Sequence, residues 1–230
     1  MRAALCAAAV LAAGVTAGAV QAKSPETLPQ GTSTYAFDIV RDGKPIGTHE
    51  VTLTRRDGRV IVDVDVDIRV KLGFLTLFKY EHENREIWEN GRLVCLEAKT
   101  NDDGTRYEVL ARAVDGVLQV EGSGGSYEMP GDTMTATYWN PMTVSMDRML
   151  DTAKGKVLEI DTAHVEVGTL DIAGRPVTVR QFRTEGDLQL DSWYGPGGEW
   201  LGIAFVGRGK PVRYVPRELP PIQQAQVPAE

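Results

Sequence analysis

The chain has 230 residues, a formal net charge of −7 and 42% hydrophobic residues, with only two cysteines. An acidic chain of this kind carries no overall electrostatic footprint for nucleic acid or for an anionic membrane surface. Two cysteines cannot frame a disulfide scaffold, so a hydrophobic core must supply the stability.

The N-terminus pairs a single cation, Arg2, with an apolar run from Ala3 to Val20 that closes on Val20-Gln21-Ala22. This pattern predicts a cleavable export signal over residues 1–22, cut after Ala22. It places the mature protein in the periplasm with no stable membrane span. The run is rich in Ala and Gly, and no basic stop-transfer cluster follows it. Cys6 leaves with the signal. Cys95 remains without an intramolecular partner, and its apolar neighbours Leu93, Val94 and Leu96 predict a buried, inert thiol.

A short polar lead-in, 23–33, precedes a single β-rich domain predicted over 34–215. Val60, Val62, Val64, Val66, Ile68 and Val70 alternate with polar residues including Asp63, Asp65 and Asp67. Only a strand sorts those two sets onto opposite faces. Asp42-Gly43, Asp57-Gly58, Asn90-Gly91, Asp103-Gly104 and Asp115-Gly116 each separate two such runs and suit tight hairpin turns. The resulting strands are 34–41, 46–56, 59–71, 76–89, 92–100, 105–113 and 117–121. A second set covers 156–168, 175–184, 187–194, 199–207 and 211–215. The fold class is all-β, a curved antiparallel meander or half-open barrel. One α-helix over about 141–153 is expected to cover the sheet. Asn140 would cap it, Pro141 would open it, and Met142, Met146 and Met149 would form its buried stripe. Residues 216–230, rich in Pro and Gln, read as a disordered tail.

The richest segment for chemistry is Tyr80 to Glu89. Strand parity puts Tyr80, His82, Asn84, Glu86 and Trp88 on one face. Glu81, Glu83, Arg85, Ile87 and Glu89 occupy the other, and its charges belong in water. His82, Asn84 and Glu86 therefore point inward, where polar groups need partners. They form either a satisfied structural network or the polar part of a binding site. His49 shares inward parity with Val51 and Leu53. Together with Met142, Met146 and Met149, these residues are the candidate ligand-binding set. No two of the three histidines sit at metal-ligand spacing and none lies in a Cys/His motif, so neither metal nor other cofactor is expected. Gly122-Ser123-Gly124-Gly125-Ser126 has the wrong order for a nucleophile elbow and reads as a flexible turn.

Several segments carry a resemblance. They are Asp42-Gly43-Lys44-Pro45-Ile46-Gly47-Thr48-His49, Tyr80 to Trp88, Thr100 to Gly104, Tyr138-Trp139-Asn140-Pro141, Trp193-Tyr194 and Gly198-Glu199-Trp200. In this order they resemble the DUF6134 family of exported bacterial proteins, with a looser likeness to DUF3108. The resemblance implies a periplasmic single β-domain and transfers no catalytic residue.

Three functions compete. The first is a non-enzymatic periplasmic protein holding a lipid or other apolar small molecule between sheet and helix. The second is a cell-envelope scaffold module that binds an envelope protein through an exposed patch. The third is a hydrolase using His82 and Glu86, with His49 close by.

Overall fold

The computed structural model describes residues 31–172 and 174–222, so the predicted export signal lies outside the described residues. Fifteen strands among them share one sheet. The first arm comprises β1 (Gly31–Arg41), β2 (Lys44–Arg56), β3 (Arg59–Leu72), β4 (Leu75–Glu89), β5 (Arg92–Asp102), β6 (Thr105–Val114), β7 (Val117–Gly122) and β8 (Gly125–Pro130). The second comprises β9 (Met134–Thr135), β10 (Arg148–Asp151), β11 (Lys156–Ile172), β12 (Arg175–Gly186), β13 (Leu190–Tyr194), β14 (Trp200–Gly207) and β15 (Lys210–Glu218). Each arm keeps its strands in chain order, and antiparallel pairing of β1 with β15 joins the two in mid-sheet. The short β9–β10 pair is parallel.

The alternation read along β3 is realised. Val60, Val62, Val64 and Val66 are buried. Asp63 and Asp67 face outward, 3.6 Å from Arg85 and 2.6 Å from Arg69. The five Asx-Gly hairpins are realised too: Asp42, Asp57, Asn90, Asp103 and Asp115 all adopt φ near 50°, each followed by a positive-φ glycine. These are the two successive left-handed positions that match the twist of a tight hairpin. Two features extend the sequence reading. The Gly-Ser segment turns at 123–124 and then continues as β8. The last strand runs on to Glu218, with Pro216 opposite Phe37 where the β1 register slips. A proline fits such an irregular strand end because no ladder bond needs its missing N–H.

The sheet rolls until its arms meet. A Cβ on Gly122 would lie 2.6 Å from the Gly155 backbone, and one on Gly155 would lie 2.7 Å from Gly122. Ser123 donates its amide to the Lys154 carbonyl at 2.8 Å across this seam.

The covering helix over 141–153 is not formed. Pro141–Ser145 makes a short 3-10 turn capped by Asn140, the backbone is extended at Met146, and Arg148–Asp151 is strand β10. The physical reason is two-sided burial. Residues 133–153 pack into the roll as a plug, with Ser145, Asp147 and Arg148 left at its surface. On one side Trp139 and Thr152 reach Glu86 and His82 of β4; on the other Tyr194 of β13 donates to the Tyr138 carbonyl at 3.0 Å. Met149 and Leu150 are adjacent in sequence, yet only 2% and 0% exposed. A strand flanked on both faces buries consecutive residues. Ladder partners on β9 and β11 then satisfy its backbone as well as a helix would. The spacing of Met142, Met146 and Met149 matches a helical stripe by coincidence.

Candidate functional site

One rung of the ladder organises the site. His49 on β2, Val66 on β3, His82 on β4 and Thr100 on β5 lie side by side, facing the interior. Toward the β3–β4 hairpin the inward residues are Ile68 opposite Tyr80 and Val70 opposite Phe78. In the other direction they are Val64 opposite Asn84, Val62 opposite Glu86 and Val60 opposite Trp88. These two directions have different fates.

Above the rung the roll is hollow. A cavity of about 730 Å³ opens between Val64, Val66, Ile68 and Val70 on one wall and Phe205, Val212 and Tyr214 on the other. The plug supplies Ala136–Tyr138 and Asp151–Lys154, and His49, Tyr80 and His82 also line it. This volume falls within the roughly 300–1,000 Å³ typical of small-molecule sites. Charged residues (Arg41, Lys154, Asp187 and Arg208) border the same cavity.

Below the rung the roll is solid. Glu86 accepts from Asn84 Nδ2 at 2.8 Å and from Trp88 Nε1 at 2.7 Å. Trp139 Nε1 of the plug reaches it at 3.3 Å. The two indoles meet edge-on with centroids 5.6 Å apart. Burial pushes the Glu86 carboxyl above its usual range, against the pull of these donors. The structure thus divides the candidate set. His49, Tyr80 and His82 line the cavity, while Asn84, Glu86 and Trp88 form its floor. Met149 packs in the core and Met142 and Met146 against it.

The two imidazoles behave differently. His82 Nδ1 lies 2.8 Å from Thr100 Oγ1 and Nε2 lies 3.3 Å from Thr152 Oγ1, so both ring nitrogens have hydroxyl partners. Burial lowers its pKa to about 4. His49 is only 7% exposed and neither of its ring nitrogens has a protein partner. Its ring instead sits edge-on to Trp200 and Tyr214, each at 5.3 Å. Burial, reinforced by the neighbouring His82, lowers its pKa to about 3. Burial also raises the pKa values of Tyr80, Tyr138 and Tyr214. The inner cavity therefore carries neutral imidazoles, phenols and threonine hydroxyls, together with the Asp151 carboxyl, whose pKa burial raises.

His82 and Glu86 do not converge. Four residues apart on one strand, their backbones are separated by about 13 Å, and every hydrogen bond of Glu86 above goes to the floor. His49 and His82 flank Val66 at about 10 Å. No group of three or more His, Cys, Asp or Glu able to hold a metal occurs among the described residues. Sequence reading missed the plug's contribution. Only the structure shows that Tyr138 takes φ 61°, costly for a bulky side chain, where the Tyr-Trp-Asn-Pro segment turns into the cavity wall.

A model of the family described as a domain of unknown function (DUF6134) matches residues 37–217. A search of curated proteins finds no match. Among solved structures, the chain is similar to a beta-barrel-like protein of the domain of unknown function DUF1849 from Brucella abortus. The TM-score is 0.58 at 10% identity, over 86% of this chain and all of that one. At that identity the likeness concerns the fold.

Proposed function

We propose that this chain, which belongs to the DUF6134 family, is a non-enzymatic periplasmic protein that binds an apolar or amphipathic, lipid-like molecule inside the rolled sheet. The observation that carries the reading is the 730 Å³ cavity with aliphatic and aromatic walls and the unpartnered His49 ring at its inner rung. A buried imidazole with two unmet hydrogen-bonding atoms is costly. Both nitrogens are covered by neighbouring side chains, so a ligand hydroxyl, carbonyl or ester would satisfy them once the packing of Trp200 and Tyr214 against the ring shifts. The apolar walls suit the body of such a ligand, and the charged border suits a polar or anionic head. The pattern of residues 1–22 supports the compartment.

The test is native mass spectrometry of protein isolated from cells that export it, paired with titration of a fluorescent fatty-acid probe. Saturable binding of one probe per chain is expected, with co-purified lipid displaced. Ile68→Trp, which fills the cavity toward its border, should weaken the probe at least about tenfold, the effect of losing ~1.4 kcal/mol of contact. Isolation of a lipid-free protein with no saturable probe binding would end the proposal.

A further inference from the structure

The tip of the β3–β4 hairpin departs from the other tight turns of the first arm. Five of those turns present an Asx-Gly pair to solvent. Here Gly73 takes the left-handed position (φ 61°) and Phe74 follows it, with its side chain completely exposed (104%). Gly73 already meets the backbone demand of the turn, so nothing in the turn calls for a phenyl ring in water. Leu75 and Leu77 beside it are 55% and 50% exposed. The tip is continuous with the cavity, since Val70, Leu77 and Phe78 belong to both hairpin and lining.

Charge is layered behind this apolar tip. Lys71 lies opposite Thr76, then Arg69 opposite Lys79, which pair with the next acids Asp67 and Glu81 at 2.6–3.4 Å, so Lys71 is the cation nearest the tip and outside that cluster. At about 3.3 Å per residue, Lys71 is about 10 Å from Phe74 along the strand and Asp67 about 23 Å. Arg208 adds a guanidinium 4.3 Å over the Phe78 ring. Apolar, then basic, then acidic is the order that a phospholipid interface selects by depth. Apolar side chains sink about 5–10 Å into the headgroup–acyl boundary, and cations remain level with the phosphates.

We propose that the β3–β4 tip docks onto a phospholipid membrane surface, inserting Phe74 and Leu75 and placing Lys71 against anionic headgroups, with Arg69 and Lys79 exchanging their pairing with Asp67 and Glu81 for headgroup phosphates, so that the cavity border meets the lipid. The net charge of −7 argues against an anionic surface only as a whole-chain sum. Contact is made by the tip, where the cations gather.

The test is flotation of the purified protein with vesicles of phosphatidylethanolamine and phosphatidylglycerol. The protein should float with the vesicles. F74S/L75S should lower its partition coefficient about tenfold or more, and Lys71→Glu severalfold. Both variants alter exposed side chains, and retained fatty-acid probe binding would verify their fold. The cavity variant Ile68→Trp should float like the parent. A parent protein that floats but binds no probe would remove the cavity reading and leave docking standing. Parent protein that stays with the unbound fraction overturns docking, as does F74S/L75S floating undiminished. A parent dimer that F74S/L75S turns into a monomer also overturns it, by making a second copy the occupant of the tip.

Discussion

At the scale of single residues, His49 sets function against stability. An unfolded imidazole titrates near 6.5, whereas in the fold burial holds His49 at about 3 and His82 at about 4. The unfolded chain therefore binds more protons as the pH falls. The stability these groups hold is complete above about pH 6.5 and drains as the pH drops toward their folded values. At pH 5 each has removed about 2 kcal/mol. Glu86 and Asp151, whose pKa values are raised chiefly by burial, act in the opposite sense, losing their contribution as the pH rises. His49→Phe leaves both in place, so comparing parent and variant isolates one imidazole. Urea midpoints between about pH 7 and pH 5 should fall about half as far in the variant as the histidine contribution predicts for the parent. Parallel midpoints would show that His49 does not stay neutral in the fold. The inward direction of His49, His82, Asn84 and Glu86 is legible from strand parity alone. Which of them border a cavity and which form a floor is not, because residues about 50 positions away in the plug decide it.

At the scale of elements, the strands announce themselves through period-two alternation and Asx-Gly turns, and the plug does not. Residues buried on two faces lose the alternation that marks a half-buried strand, so Met149 reads as part of a helical stripe. The β3–β4 tip is obscured for another reason: the connection between the strands read over 59–71 and 76–89 carries Phe74 and Leu75, and apolar residues in a turn carry no sequence mark of their exposure. Once inside, the plug is pinned at Glu86, whose oxygens meet donors in Asn84, Trp88, Trp139 and Thr135. Glu86→Gln would turn one of those oxygens into a donor facing a donor. A loss of about 1–3 kcal/mol is expected, with amide hydrogen exchange accelerating first across 134–151. Uniform acceleration through the whole sheet would show instead that the plug does not open as a separate unit.

At the scale of the whole molecule, closure of the roll depends on two glycines in backbone contact, Gly122 and Gly155. Gly122→Val puts a branched side chain where even a Cβ has no room. It should destabilise by about 1–3 kcal/mol, as overpacking does, and widen the molecule measurably in small-angle scattering. An unchanged midpoint and radius would place the closure elsewhere.

The pairing of β1 with β15 carries a consequence in time. Val40 lies opposite Arg213, so the first strand made finds its second neighbour only when the last one arrives. The early arm can form local hairpins, but its inner face has neither plug nor opposite wall until residues beyond 133 are present. Contacts of such long sequence separation form late because loop closure must precede them. A ribosome would therefore be handling a chain that cannot complete its fold until β15 has emerged, which keeps the earlier strands pliable until then.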